Sequence, residues 1–306
     1  MTSLRRFSFM IITNLAIFLT IAITVSVLMK VFGLEPYLQN GMGFNYGALF
    51  VFCLLWGMVG AFASLLLSKT MAKWTMKLRV LNPQSAQGPE GDLVRTVHNL
   101  AKAAGLPKMP DVAIYDSPEV NAFATGPSKR NSLVAVSTGL LHSMNRSELE
   151  GVLGHEVAHI ANGDMVTMTL VQGIVNAFVM FFAKIVAWAA AQALSSRSDD
   201  SAPNTMLQFA IEMVLYVLFG FLGAMVVGYV SRAREFRADA GSARLAGQGK
   251  MIAALEALRS NIGRVDTRQE SLKSMKISGG KIQGLAALMA THPPLELRIA
   301  RLRTMT

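Results

Sequence analysis

The 306-residue chain is 52% hydrophobic and only 16% charged, with a positive mean hydropathy, so an average soluble domain is a poor match and a membrane protein the leading class. Lysine and arginine outnumber aspartate and glutamate by 29 to 19, but they gather where apolar runs end (Arg5 and Arg6; Lys69, Lys73, Lys77 and Arg79; Arg232, Arg234 and Arg237). That is the pattern of charge retained at the cytoplasmic side of a bilayer, so no nucleic-acid partner is expected, and the single cysteine, Cys53, excludes an intrachain disulfide.

Four apolar stretches are long enough to cross a hydrocarbon core, which takes about 20 helical residues: Phe7 to Met29, Tyr46 to Ser68, Val166 to Leu194 and Thr205 to Val230. The first is too long for a signal peptide and lacks a small-residue cleavage site, so it reads as an anchor. The short connections 30–45 and 195–204 are poor in lysine and arginine and are expected outside. The N-terminus, 69–164 and the C-terminal region are expected in the cytoplasm. This divides the chain into a transmembrane hairpin (1–68), a cytoplasmic segment (69–164), a second hairpin (165–230) and a cytoplasmic C-terminal segment (231–306). Within the second hairpin, Lys184 and Glu212 fall at similar depths and are expected to form an ion pair.

The soluble segment opens with a Pro/Gly/Gln linker, Asn82 to Gly91, followed by an expected amphipathic helix from Asp92 to Ala104. Short β-type runs follow at Asp111 to Tyr115, Val120 to Thr125 and Ser132 to Ser137. A helix then starts near Asn145, with Ser147 and Glu150 as an expected capping box, and stops near Asn162-Gly163.

That helix carries Gly154-His155-Glu156-Val157-Ala158-His159. Histidines four apart project from one helical face, so both imidazoles can reach one metal ion, and zinc is its natural occupant. Glu156 then flanks the remaining coordination position, where it can take a proton from the attacking water and return it to the leaving amine. Two axial haem ligands would have to approach from opposite faces, which excludes a haem reading. A catalytic zinc needs a third protein ligand. Glu235, in Arg234-Glu235-Phe236-Arg237-Ala238-Asp239 directly after the fourth apolar run, is the candidate, and Asp239 one turn on can orient a ligating histidine.

With these residues in view, the chain resembles the HtpX family of bacterial membrane zinc proteases, relatives of the CAAX prenyl proteases. The resemblance runs through Val120 to Gly126, Ala135 to Leu141, His155 to Asp164 with Met165 to Met168, Glu235 to Ala240, and Thr291-His292-Pro293-Pro294. It implies one zinc held by His155, His159 and Glu235, Glu156 as general base, and a cytoplasm-facing site in the bacterial inner membrane acting on damaged or misassembled membrane proteins. It also favours a substrate-binding edge at Asn121, Ala122, Phe123 and Ala124 over ordinary strand packing.

The expected architecture is therefore mainly helical: four transmembrane helices and a cytoplasmic α+β zincin-like domain with a small β-sheet. His292 is expected to fold back as a donor to the oxyanion, and Arg298 to pair with Asp239. Prenyl-protein processing, or a scaffold with a structural zinc, are the alternative readings.

Overall fold

The computed structural model describes residues 39–40, 43–195, 205–260 and 285–305. The apolar stretch Phe7 to Met29 lies outside them. The described elements are β1 (Gln39–Asn40) and β2 (Gly43–Phe44), which pair with each other, then α1 (Tyr46–Thr75), β3 (Arg79–Val80), α2 (Gly88–Ala103), β4 (Asp111–Tyr115), β5 (Ala122–Ser128) and β6 (Asn131–Ser137). They continue with α3 (Thr138–Ser143), α4 (Arg146–Asn162), α5 (Asp164–Ser195), α6 (Thr205–Ser242), a π-helical turn (Ala243–Gly247), α7 (Gln248–Ser260), α8 (Leu285–Met289) and α9 (Leu295–Arg303). The described residues are mainly helical, with a small mixed sheet of four strands besides the β1–β2 pair.

Two compact units emerge. The first comprises 1–61 and 171–226, the second 62–170 and 227–306. Among the described residues three helices are long and apolar enough to cross a membrane, beginning at Tyr46, Asp164 and Thr205. In the first unit their outward stripes stay bare: Val51, Leu55 and Val59 on α1, and Val214, Leu218, Leu222 and Val226 on α6, with Leu55 62% and Val214 68% exposed. Stripes of large aliphatic side chains at helical spacing are costly in water and favourable in lipid. Inside that unit, Leu49 and Cys53 pack with Val179, Met180, Ala183 and Tyr216. Lys184 Nζ lies 2.8 Å from Glu212 Oε1, which also accepts the Tyr216 hydroxyl at 2.6 Å, so the charge is paired where an unpaired one would be expensive.

The second unit is built on the sheet β3-β4-β6-β5, with β4 and β6 parallel and the other pairs antiparallel. Strand alternation divides its side chains cleanly. Val112, Ile114, Val134 and Val136 meet α2, α4, α7 and α9, whereas Ala113, Tyr115, Leu133 and Ala135 meet Ala72 and Met76 at the end of α1. Among the described residues strand β5 is an edge, paired on one side only, by β6.

Several boundaries differ from expectation. Helix α2 begins at Gly88, inside the expected linker, because Pro89 suits a first helical turn. Strand β5 starts at Ala122 rather than Val120 and runs on through an irregularity to Ser128. The capping box of α4 is made by Asn145 and Glu148: Asn145 Oδ1 accepts the amides of Ser147 and Glu148, and Glu148 accepts the amide of Asn145. Ser147 is already within the first turn, so it cannot cap it. At the other end Gly163 adopts φ 72°, the left-handed conformation that glycine takes without a Cβ penalty, and turns the chain from α4 directly into α5.

Candidate metal centre

Helix α4 supplies two of the donors. His155 and His159 share one face, both buried, with their Nε2 atoms 3.0 Å apart. Close approach of the neighbouring helical segment brings the third: a Cβ on Gly154 would stand 2.7 Å from Ser242 Oγ, so the glycine lets the C-terminal part of α6 lie directly against α4. Ser242 Oγ donates to Gly151 O at 2.7 Å and pins that contact. One turn and more before Ser242 on α6, past the apolar run that ends near Val230, sit Asp239 and Glu235.

Glu235 is fully buried, its Oε1 3.2 Å from His159 Nε2 and its Oε2 3.6 Å from His155 Nε2. Donor atoms of His155, His159 and Glu235 all lie within 4.8 Å of one another, as one shared metal ion requires. The far ring nitrogens are engaged elsewhere, His155 Nδ1 2.9 Å from Asp239 Oδ1 and His159 Nδ1 2.6 Å from Asp164 Oδ2. Each carboxylate draws the ring proton to Nδ1 and leaves Nε2 as a bare acceptor. When both rings are neutral, two such lone pairs at 3.0 Å, with Glu235 Oε1 buried beside them and making no hydrogen bond, repel unless a proton or a metal ion lies among them. The residues therefore fit a metal ion.

The charges behind the ligands are balanced. Arg298 is fully buried and grips Asp239 twice, Nε to Oδ2 at 2.8 Å and Nη2 to Oδ1 at 2.6 Å. Burial alone would raise the Asp239 pKa, but the Arg298 charge and its hydrogen bonds outweigh it and hold the carboxyl at about 2. Burial likewise opposes ionisation of Glu235, and the imidazoles of His292, His155 and His159 reverse that, holding it well below the usual carboxylate range. In the metal-free chain burial pushes the His155 pKa down, yet the bonds to Asp239 and Glu235 prevail and lift it to about 9.

His155, His159, Glu235, Asp239, Arg298 and His292 come together here. His292 stands with Nδ1 2.8 Å from Glu235 Oε2, and its Nε2 is buried without a hydrogen-bond partner. Glu156 is buried on α4 between the two histidines in sequence. Asn121 turns its side chain inward, donating to the Tyr115 hydroxyl at 3.0 Å, and Phe123 packs against the Tyr115 ring. Ala122, Phe123 and Ala124 lie on edge strand β5, in register with Val136, Ala135 and Val134.

Two residues escape the sequence reading. Asp164 holds His159, and Arg234 lies over that pair, Nη1 3.3 Å from His159 Nδ1 and 3.9 Å from Asp164 Oδ2, and Nη2 3.5 Å from Glu235 Oε1. Asp164 is five residues past His159, off the helical face, and only the reversal at Gly163 returns it. That glycine followed by an acid was the available signal.

Fold and site together describe a metalloprotease set in a membrane, and the sequence model of Peptidase family M48 matches residues 87–306: the chain belongs to that family. Its similar relatives are HtpX proteases. It is 50% identical over 301 residues to a "Protease HtpX homolog" of Bacillus velezensis and equally to that of Bacillus subtilis, each match covering 97% of this chain and 98% of the relative. "Protease HtpX" of Shewanella baltica is 49% identical, with 98% of this chain and 99% of that protein covered. The crystal structure of S. mikatae Ste24p superposes with a TM-score of 0.62 at 17% identity, covering 95% of this chain and 65% of that one, a likeness of fold alone.

Proposed function

We propose that the chain is a zinc-dependent endopeptidase of the bacterial cytoplasmic membrane, with its site facing the cytoplasm and misfolded or damaged membrane proteins as substrates. The observation that carries the reading is the buried group His155, His159 and Glu235 with Glu156 on the same helix. Two imidazole nitrogens and one carboxylate oxygen form the donor set of a catalytic zinc site, and three ligands leave a position open. Bound there, zinc lowers the pKa of a water and polarises the scissile carbonyl.

The chain's own residues do the rest. Glu156 takes a proton from the attacking water at its carboxylate and passes it to the leaving nitrogen. His292, held through Nδ1–H by Glu235, offers Nε2–H to the oxyanion in its doubly protonated form, because a neutral ring would keep its one proton on Nδ1. Asp239 and Asp164 fix the two ligating rings, and Arg298 fixes Asp239. Strand β5, unpaired on its outer edge among the described residues, accepts an extended substrate at Ala122 to Ala124, where affinity comes from main-chain pairing and needs no particular sequence. Asn121 supports that strand from within. In this arrangement 69–164 and 231–306 build the protease, and 1–68 and 165–230 are its membrane hairpins.

The test is metal removal and return. The detergent-purified chain should cleave a casein-type substrate, stop after chelation, and recover with one equivalent of zinc per chain; cleavage that survives complete chelation refutes the reading. For orientation, reporters fused after Gln39 or Ser198 should read outside, and those after Gln87 or at Thr306 cytoplasm, because cations crowd the latter sides. An outside signal at Gln87 would reverse the assignment.

A further inference from the structure

A cleft of about 460 Å³ lies beside the C-terminal end of α4, and no metal ligand lines it. It is lined by Pro107, Lys129 and Arg130 of the β5–β6 turn, Gly163, and Met165 and Val166 in the first turn of α5. Such a volume accommodates a small amphiphile. One wall is apolar: Pro107, Met165 and Val166, and Val166 opens the apolar run that continues along α5 to Leu194. The Lys129 stem passes over Gly163, where an added Cβ would meet its Cε at 3.5 Å.

The rest of the lining is almost wholly apolar too, being the stems of Lys129 and Arg130, whose charged heads stand at the rim. Lys129 and Arg130 are exposed, and among the described residues neither has a carboxylate within ion-pair distance. Asp111 is already shared, its Oδ2 3.1 Å from both Lys69 and Lys73, and Lys69 also donates to Asn131 in the same turn at 2.8 Å. Asp164, next to the cleft in sequence, is buried against His159. Four cations are thus strung along this edge with one carboxylate among them.

A soluble anion would satisfy the cations and leave the apolar wall bare, and a nucleic acid would find no aromatic surface there on which to stack. A molecule with a phosphate at one end and a hydrocarbon chain at the other satisfies the cationic rim and the apolar lining together. We propose that this cleft binds one anionic phospholipid, its phosphate between Lys129 and Arg130 and the upper part of an acyl chain against Met165 and Val166. None of its lining residues is a metal ligand, and the proposal does not depend on the proteolytic reading.

Native mass spectrometry of the detergent-purified full chain titrated with phosphatidylglycerol tests it. Each cation facing an anionic headgroup contributes roughly fivefold to binding, so Lys129→Ala/Arg130→Ala should weaken phosphatidylglycerol binding about thirtyfold. The charge-matched pair Lys102→Ala/Arg146→Ala, on α2 and α4, should leave it unchanged, phosphatidylcholine should not bind the cleft, and millimolar inorganic phosphate should not displace the lipid. Val166→Ser, which keeps both cations, should cost a several-fold loss and serves if the double alanine variant melts early. Equal binding by wild type and the double variant, an equal loss in the charge-matched control, or displacement by inorganic phosphate would each overturn the proposal.

Discussion

A Glu156→Gln chain should bind metal as fully as wild type yet cleave a casein-type substrate ~10²–10⁴-fold more slowly, the usual contribution of a positioned general base. The substitution leaves His155, His159 and Glu235 in place and keeps the shape of a side chain that is buried on α4. What it removes is an oxygen able to accept a proton. Metal analysis and turnover measured on one sample separate the two effects, and full activity in this variant would remove Glu156 from the mechanism. His292→Ala belongs in the same assay. Loss of one oxyanion donor typically costs ~10²–10³ in turnover, so a fall of that size with metal content and melting temperature unchanged supports a role for Nε2. A fall that tracks metal loss would instead assign His292 to holding Glu235, which its Nδ1 contacts at 2.8 Å.

Glu235→Ala should lose metal and activity together, because it deletes one of three ligands, whereas Asp239→Asn should weaken metal binding only ~10–100-fold, as removal of a group that orients a ligand does. The asparagine variant should also melt earlier, since Arg298, wholly buried, loses the carboxylate that neutralises it; breaking a buried pair costs about 3–5 kcal/mol. Metal titrations across pH add a second readout. In the metal-free chain His155 is lifted to about 9, so below that pH the metal must displace a proton from it. Apparent affinity of wild type should therefore rise about tenfold per pH unit from neutrality toward pH 9 and then flatten. Loss of Asp239, the first of the two carboxylates that raise this pKa, should move the plateau to lower pH. Equal and negligible effects of both substitutions on metal binding would place the third ligand elsewhere.

Much of this was legible without coordinates. The pair His155 and His159 follows from a helical period, and the stop at Gly163 from a residue that alone adopts the left-handed turn cheaply. Apolar length announced the helices beginning at Tyr46, Asp164 and Thr205, because the bilayer's thickness is a one-dimensional constraint on sequence. The cap of α4 was misread for a related reason: Ser147 and Glu150 have the same spacing as Asn145 and Glu148, and local pattern cannot say which pair precedes the first turn.

The sequence by itself determined the chemistry on offer, since donor type and helical spacing are local properties: two imidazoles and a carboxylate on α4, and an acidic pair one turn apart on α6. Only the tertiary structure decided which groups meet. That Glu235 lies 3.2 Å from His159 rather than in solvent depends on α6 packing against Gly154, a contact between segments some 80 residues apart that no periodicity encodes. That Arg298 grips Asp239 and that Asp164 returns to His159 are likewise facts of chain reversal and packing. Local pattern sets what each residue can do; burial against distant segments sets its partner, because an ionisable side chain is held inside only where another chain segment supplies the matching charge.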